Sequence, residues 1–202
     1  MKKSYILIIL ALSMTFLSGC ALSKDKKPAQ NEAVEKNEIE ENNQTVEENM
    51  EENESTTKEA ESAVKIPVTL EKATFEVPEY FLELTSDQDY GLPYVRYIID
   101  VGASFNLVVE DLSKYPGITL EQYIEIALAS AKYDYKTNIY KEINGYRVNE
   151  LITSPGDNGT ILHQTTFLHD NKAYIFTYGS LEENYDEYLP VIEEILQTVS
   201  FN

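Results

Sequence analysis

The chain has one cysteine, no tryptophan, two histidines and eight glycines in 202 residues. Each shortage removes a class of chemistry. A single thiol forms no disulfide within the chain and no cysteine-rich metal site. His163 and His169 fall six apart on a run that reads as a strand, so they share a face at a separation of about 20 Å, too far for one metal ion. No phosphate-cradling glycine loop, His-x-x-x-His helix or Ser-His-acid order occurs. Positive charge is scarce too: 16 basic side chains face 35 acidic ones, for a formal net charge of −19. Nucleic acid and anionic lipid surfaces repel such a chain. The longest apolar run, Tyr5–Leu17, is shorter than the about 20 residues that cross a bilayer.

That run has informative flanks. Lys2 and Lys3 precede it, and Leu17-Ser18-Gly19-Cys20 follows it. A positive start and a short apolar stretch suit a secretory leader. The final tetrapeptide resembles the lipobox of bacterial lipoproteins. The resemblance implies that Cys20 carries a diacylglyceryl thioether, that residues 1–19 are removed, and that the new amine is acylated, for instance with palmitate. Each buried CH₂ contributes about 0.8 kcal/mol, so two or more chains hold stably where one does not. The expected location is the extracytoplasmic face of the cell membrane, with the membrane itself as a partner through Cys20. With Cys20 so used, no thiol remains for catalysis or metal binding.

Composition changes after Leu22. Residues 21–65 hold 13 acidic and 6 basic side chains, with no aromatic residue and no glycine. Low hydrophobicity with high charge predicts a disordered segment. Residues 20–65 therefore read as a lipidated cysteine and an acidic tether, spanning roughly 35–40 Å as a flexible coil.

Residues 66–202 suffice for one domain with its own core. They hold 22 acidic and 8 basic side chains. Ala73, Phe75 and Val77 alternate with polar neighbours, as do Val95, Tyr97, Ile99 and Val101, and then Phe105, Leu107 and Val109. These runs predict strands. Leu120, Tyr123, Ile124, Ala127, Leu128 and Ala131 form one helical stripe, and Thr119 with Gln122 makes a capping box before it. Asn144-Gly145 predicts a two-residue hairpin turn, and Asp170-Asn171 predicts another between 161–168 and 173–178. Ser154–Gly159 reads as a looser turn. A second helix is expected from a Ser180/Glu183 capping box onward, with a kink or restart at Pro190. The predicted class is α+β: an antiparallel sheet flanked by two amphipathic helices.

Several segments carry a resemblance: TFEVPEYFLEL (74–84), NLVVEDLS (106–113), TLEQYIEIALASAKY (119–133), INGYRVNELITS (143–154), KAYIFTYGS (172–180) and YDEYLPVIEEILQTVSF (185–201). Together they resemble a PsbP-like domain, found in the extrinsic photosystem II subunit and in small bacterial lipoproteins of the DcrB-like kind. The resemblance implies an α/β/α sandwich and non-enzymatic work at a membrane surface. It brings no residue-level site with it. Tyr80-Phe81 stands where family members often have tryptophan.

The remaining motifs are thin. Asp87-Gln-Asp89-Tyr-Gly91 has its glycine one place early for a calcium loop, and Ile98 stands where the closing glutamate belongs. Tyr174, Phe176 and Tyr178 alternate on one strand face, as an aromatic platform for sugars or a partner, or as core under a helix. No catalytic residue, cofactor or metal ligand is expected. The leading expectation is a membrane-anchored, non-enzymatic interaction module with an envelope protein partner. The alternative is weak binding of a divalent cation or of a small ligand such as a wall fragment. A hydrolase built on an unseen carboxylate pair comes third.

Overall fold

A computed structural model describes residues 64–85 and 91–202. The leader, Cys20 and the tether up to residue 63 lie outside the described residues, as do Asp87 and Asp89.

The elements run β1 (Lys65–Leu70), β2 (Ala73–Pro78), β3 (Leu82–Glu83), β4 (Tyr94–Asp100), β5 (Ala103–Asp111), α1 (Leu120–Ser130), β6 (Tyr135–Ile143), β7 (Tyr146–Thr153), β8 (Thr160–His169), β9 (Lys172–Leu181), α2 (Tyr185–Gln197) and β10 (Ser200–Phe201). Seven strands form one antiparallel sheet in the order β3-β4-β5-β9-β8-β7-β6. A second antiparallel sheet has the order β1-β2-β10. The α+β class holds, with one addition: the expected single sheet is accompanied by a three-stranded one.

Local chemistry sets the connections. Asn144 and Gly145 take φ of 50° and 79°, and Asp170 and Asn171 take 46° and 56°. Both pairs supply the left-handed conformation that a two-residue hairpin needs, which fixes the β6–β7 and β8–β9 registers. Asn144 Nδ2 also donates to the Val199 carbonyl at 2.8 Å. The Thr119/Gln122 capping box is present at the start of α1.

The second helix differs from expectation. Ser180 does not cap it. Ser180 and Leu181 remain in β9, paired with Ala103 and Ile161 and with Thr160. A 3₁₀ turn over Glu182–Asn184 follows, and α2 begins at Tyr185. The helix also runs through Pro190 without a restart. Proline removes the bond to the Asp186 carbonyl, but the stripe that includes Leu189, Ile192, Ile195 and Leu196 holds the helix against the sheet.

The large sheet carries a core on each face. Phe105, Leu107, Val148, Phe167, Tyr174, Phe176 and Tyr178 meet α2 and the β2 side chains Phe75 and Val77 on one face. Leu151, Ala173 and Ile175 meet Leu120, Tyr123, Ile124 and Ala127 of α1 on the other. Helix α1 is only 11 residues long, about 16 Å. It covers one half of its face and leaves the other half open.

Candidate binding pocket

The open half of the α1 face forms a pocket of about 470 Å³. Sheet register builds its floor. Arg96 on β4 pairs with Asn106 on β5, which pairs with Thr177 on β9, which pairs with Gln164 on β8. These four residues make one polar row across four strands. The adjacent row is Ser104, Gly179 and Leu162. The chain leaving α1 (residues 131–134) forms one wall and the 153–160 segment the other. The walls are tied where Ser154 N donates to the Asp134 carbonyl at 2.8 Å. Ser154 Oγ adds a longer bond to Asp134 Oδ2 at 3.4 Å.

Hydrogen bonding within the row is incomplete. Gln164 accepts from the Tyr135 hydroxyl at 3.2 Å and donates to Thr177 Oγ1 at 3.4 Å. Asn106 is 7% exposed, yet its Oδ1 has no hydrogen-bond partner. That oxygen lies out of solvent reach, so the groups that this row turns to the pocket include the Arg96 and Thr177 side chains. Gly179 keeps the floor low: a Cβ there would stand 3.4 Å from Leu162 Cδ2 and 3.5 Å from Ser104 Oγ.

The opposite face holds a second polar cluster, closed over by α2. Glu150 on β7 lies beside His163 on β8, with Glu150 Oε2 3.0 Å from His163 Nε2 and also in contact with Lys141 Nζ. The Tyr185 hydroxyl is 2.9 Å from His163 Nδ1. The His163 and Glu150 side chains are 5% and 8% exposed. The close approach of His163, followed by the Lys141 contact, holds the Glu150 carboxyl down to about 2 against the cost of burial. Burial, reinforced by the Glu150 charge, pushes the Tyr185 hydroxyl well above the usual tyrosine range. The residue types suit acid–base chemistry, but the side chains face α2 and not the pocket.

The residues singled out in the sequence fall elsewhere. Tyr174, Phe176 and Tyr178 are all 1% exposed or less. Phe176 packs against Phe75, Phe105 and Phe167 at centroid distances of 5.3, 5.9 and 5.6 Å. No aromatic platform is presented, because α2 and β2 cover this face of β9. His169 lies on the same sheet face as His163 but stacks on Phe201 at 4.7 Å. Among the described residues, no group of three or more His, Cys, Asp or Glu is placed to hold a metal ion. The pocket residues Arg96, Asn106, Thr177 and Gly179 were not singled out from sequence. The available signal was a polar phase, Ser104-x-Asn106 and Thr177-x-Gly179, inside otherwise apolar strands.

No protein-family model matches the sequence, and no curated protein matches it. In structure the chain is similar to cyanobacterial PsbP from Synechocystis sp. PCC 6803, at 11% identity over 65% of this chain and 87% of that one, with a TM-score of 0.47. It is also similar to the Ran-binding protein Mog1p of Saccharomyces cerevisiae, at 9% identity over 69% and 96% of the two chains, with a TM-score of 0.46. A third similar structure is LpqN of Mycobacterium tuberculosis, described as involved in cell envelope biogenesis, at 11% identity over 69% and 91%, with a TM-score of 0.40. The fold resemblance read in the sequence and the first of these likenesses name the same protein, PsbP.

Proposed function

We propose that this protein is a lipid-anchored accessory module at the extracytoplasmic face of the membrane, working by binding rather than catalysis, with its recognition site on the open half of the α1 face. The observation that carries the binding site is the pocket floor: a polar row of Arg96, Asn106 and Thr177 where a core layer would normally be apolar. The non-enzymatic reading draws support from the placement of the Glu150–His163–Tyr185 cluster. The best acid–base set among the described residues lies across the sheet from the pocket and is buried under α2. The anchor and its location rest on the Leu17–Cys20 motif.

Two measurements test the two halves. Cells fed a clickable fatty acid should label the native chain and not the Cys20→Ser variant, and the variant should leave the membrane fraction. Equal labelling removes the anchor from the proposal. For the pocket, the full chain in detergent micelles is screened by NMR against a library of small polar molecules. Shifts centred on the Thr177 and Gly179 amides support the site. Hits confined to other surfaces, or no hits at all, count against it.

A further inference from the structure

Resting on that reading, we infer that the pocket takes a small hydroxylated organic carboxylate, with Arg96 holding the carboxylate group.

The charge pattern points to an anion. Among the described residues, five cations are each within ion-pair distance of an acid: Lys65, Lys72, Lys141, Arg147 and Lys172. Arg96, Lys114, Lys132 and Lys136 have no such partner among the described residues, and of these Arg96 and Lys132 line the pocket. Arg96 is half-buried in the middle of β4, on the floor itself. An arginine in an acidic protein normally finds a carboxylate, and a guanidinium binds one through two parallel N–H donors. Among the described residues none takes that position, so a ligand carboxylate can.

The neighbouring groups refine the class. Thr177 Oγ1 accepts from Gln164, so its own proton is free to donate into the pocket. Ser104 offers a second hydroxyl on the adjacent row. Donors therefore gather beside Arg96, as an oxyanion requires. The Ser104 hydroxyl oxygen can also accept, so a ligand O–H beside the carboxylate finds a partner there. A ligand matching this floor carries a carboxylate and, a few ångströms away, a hydroxyl. Exposed Asp134 and Asp157 stand among the lining residues and repel a dianion more than a monoanion. This favours a carboxylate over a phosphate ester. The volume of about 470 Å³ suits a ligand of sugar-acid size.

The test uses gluconate as the hydroxylated carboxylate, glucose as its neutral counterpart, and acetate and inorganic phosphate as simple anions. Each is titrated into the full chain in detergent micelles, with the pocket amides as the readout. The expected order is gluconate first, with glucose and acetate at least about tenfold weaker. Arg96→Gln should weaken gluconate about tenfold and leave glucose unchanged. Gly179→Ala, which raises the floor without touching the charge, should weaken gluconate and glucose together. Glucose equal to gluconate, or gluconate unaffected by Arg96→Gln, overturns the carboxylate assignment and leaves the binding module standing. Phosphate tighter than gluconate through Arg96 also overturns it. Silence from all four probes alongside library hits in the pocket overturns the assignment alone, and silence from probes and library alike removes both.

Discussion

Tyr185, the first residue of α2, bonds across to His163 in the middle of β8 at 2.9 Å. The roles in this contact follow from the third partner. The Glu150 carboxylate can only accept, so His163 Nε2 carries the proton, and Nδ1 accepts from the tyrosine hydroxyl. The Nε2–Glu150 approach is close but poorly aligned, so the carboxylate charge acts on the N–H dipole of the ring rather than through a well-formed hydrogen bond. Tyr185 further stacks on Tyr178 at 5.5 Å, and the Tyr178 hydroxyl donates to the Tyr185 carbonyl at 3.0 Å. The start of α2 is thus latched to the sheet through polar groups, where its later turns use aliphatic ones.

This latch has a pH signature. The Glu150 carboxyl sits at about 2 in the folded protein, against 4.5 when unperturbed. A depressed carboxyl contributes stability that is present above the unfolded value and is lost as pH falls through the folded one. The loss should run from near pH 4.5 down to about 2, and reach at most about 3 kcal/mol. Urea unfolding of the native chain and of Glu150→Gln across this range isolates the contribution, since the exposed carboxyls titrate in both. Parallel stability curves for the two proteins would sink the assignment.

Tyr178→Ala should act on stability and not on recognition. The ring is fully buried, and its removal leaves a large cavity under α2. The expected cost is about 3–5 kcal/mol, visible as a lowered urea midpoint. Ligand shifts at Gly179 should persist wherever the variant remains folded, because the Tyr178 ring points to the other side of the sheet. Loss of ligand binding in a folded variant would return the aromatic strand to the candidate site.

Asn144→Ala removes two local devices together. The residue stands at φ of 50°, and its side chain ties the β6–β7 turn to the Val199 carbonyl. Asparagine offsets part of the about 1–2 kcal/mol steric cost of left-handed backbone by local hydrogen bonding that alanine lacks, and the lost tie to Val199 adds about 1 kcal/mol. Asn144→Gly should recover the first part and not the second, which thermal unfolding of the pair would separate. Identical melting of the two variants would exclude the backbone contribution.

What the sequence revealed was local in origin. Helix α1 was legible because its stripe and its Thr119–Gln122 cap lie within a few residues of each other. The two hairpins were legible because left-handed turns demand asparagine, aspartate or glycine. Strand β1 was missed: Pro67 breaks its run, and proline is tolerated there because β1 is the edge of its sheet. Strands β3 and β10 are two residues each, too short for any periodicity. The pocket was not legible at all. Arg96, Asn106 and Thr177 meet only through the registers of β4, β5 and β9, over 81 positions of chain. The alternation of Tyr174, Phe176 and Tyr178 was visible, but which layer would cover it was not. That was settled by β2, a strand nearly a hundred residues earlier.

The pairing of β10 with β2 joins Ser200 to Thr74 and Phe201 to Ala73, and Asn202 N donates to the Lys72 carbonyl. The ring of Phe201 reaches Tyr146, Phe167 and Tyr174. Strand β2 thus gains its second neighbour from β10, and Ala73 meets Phe201 across 128 positions of chain. Only two residue pairs and the Asn202 bond hold that seam, so a pull applied at Phe201 should part it from the end, like a zip, before it loads the longer ladders of the seven-stranded sheet.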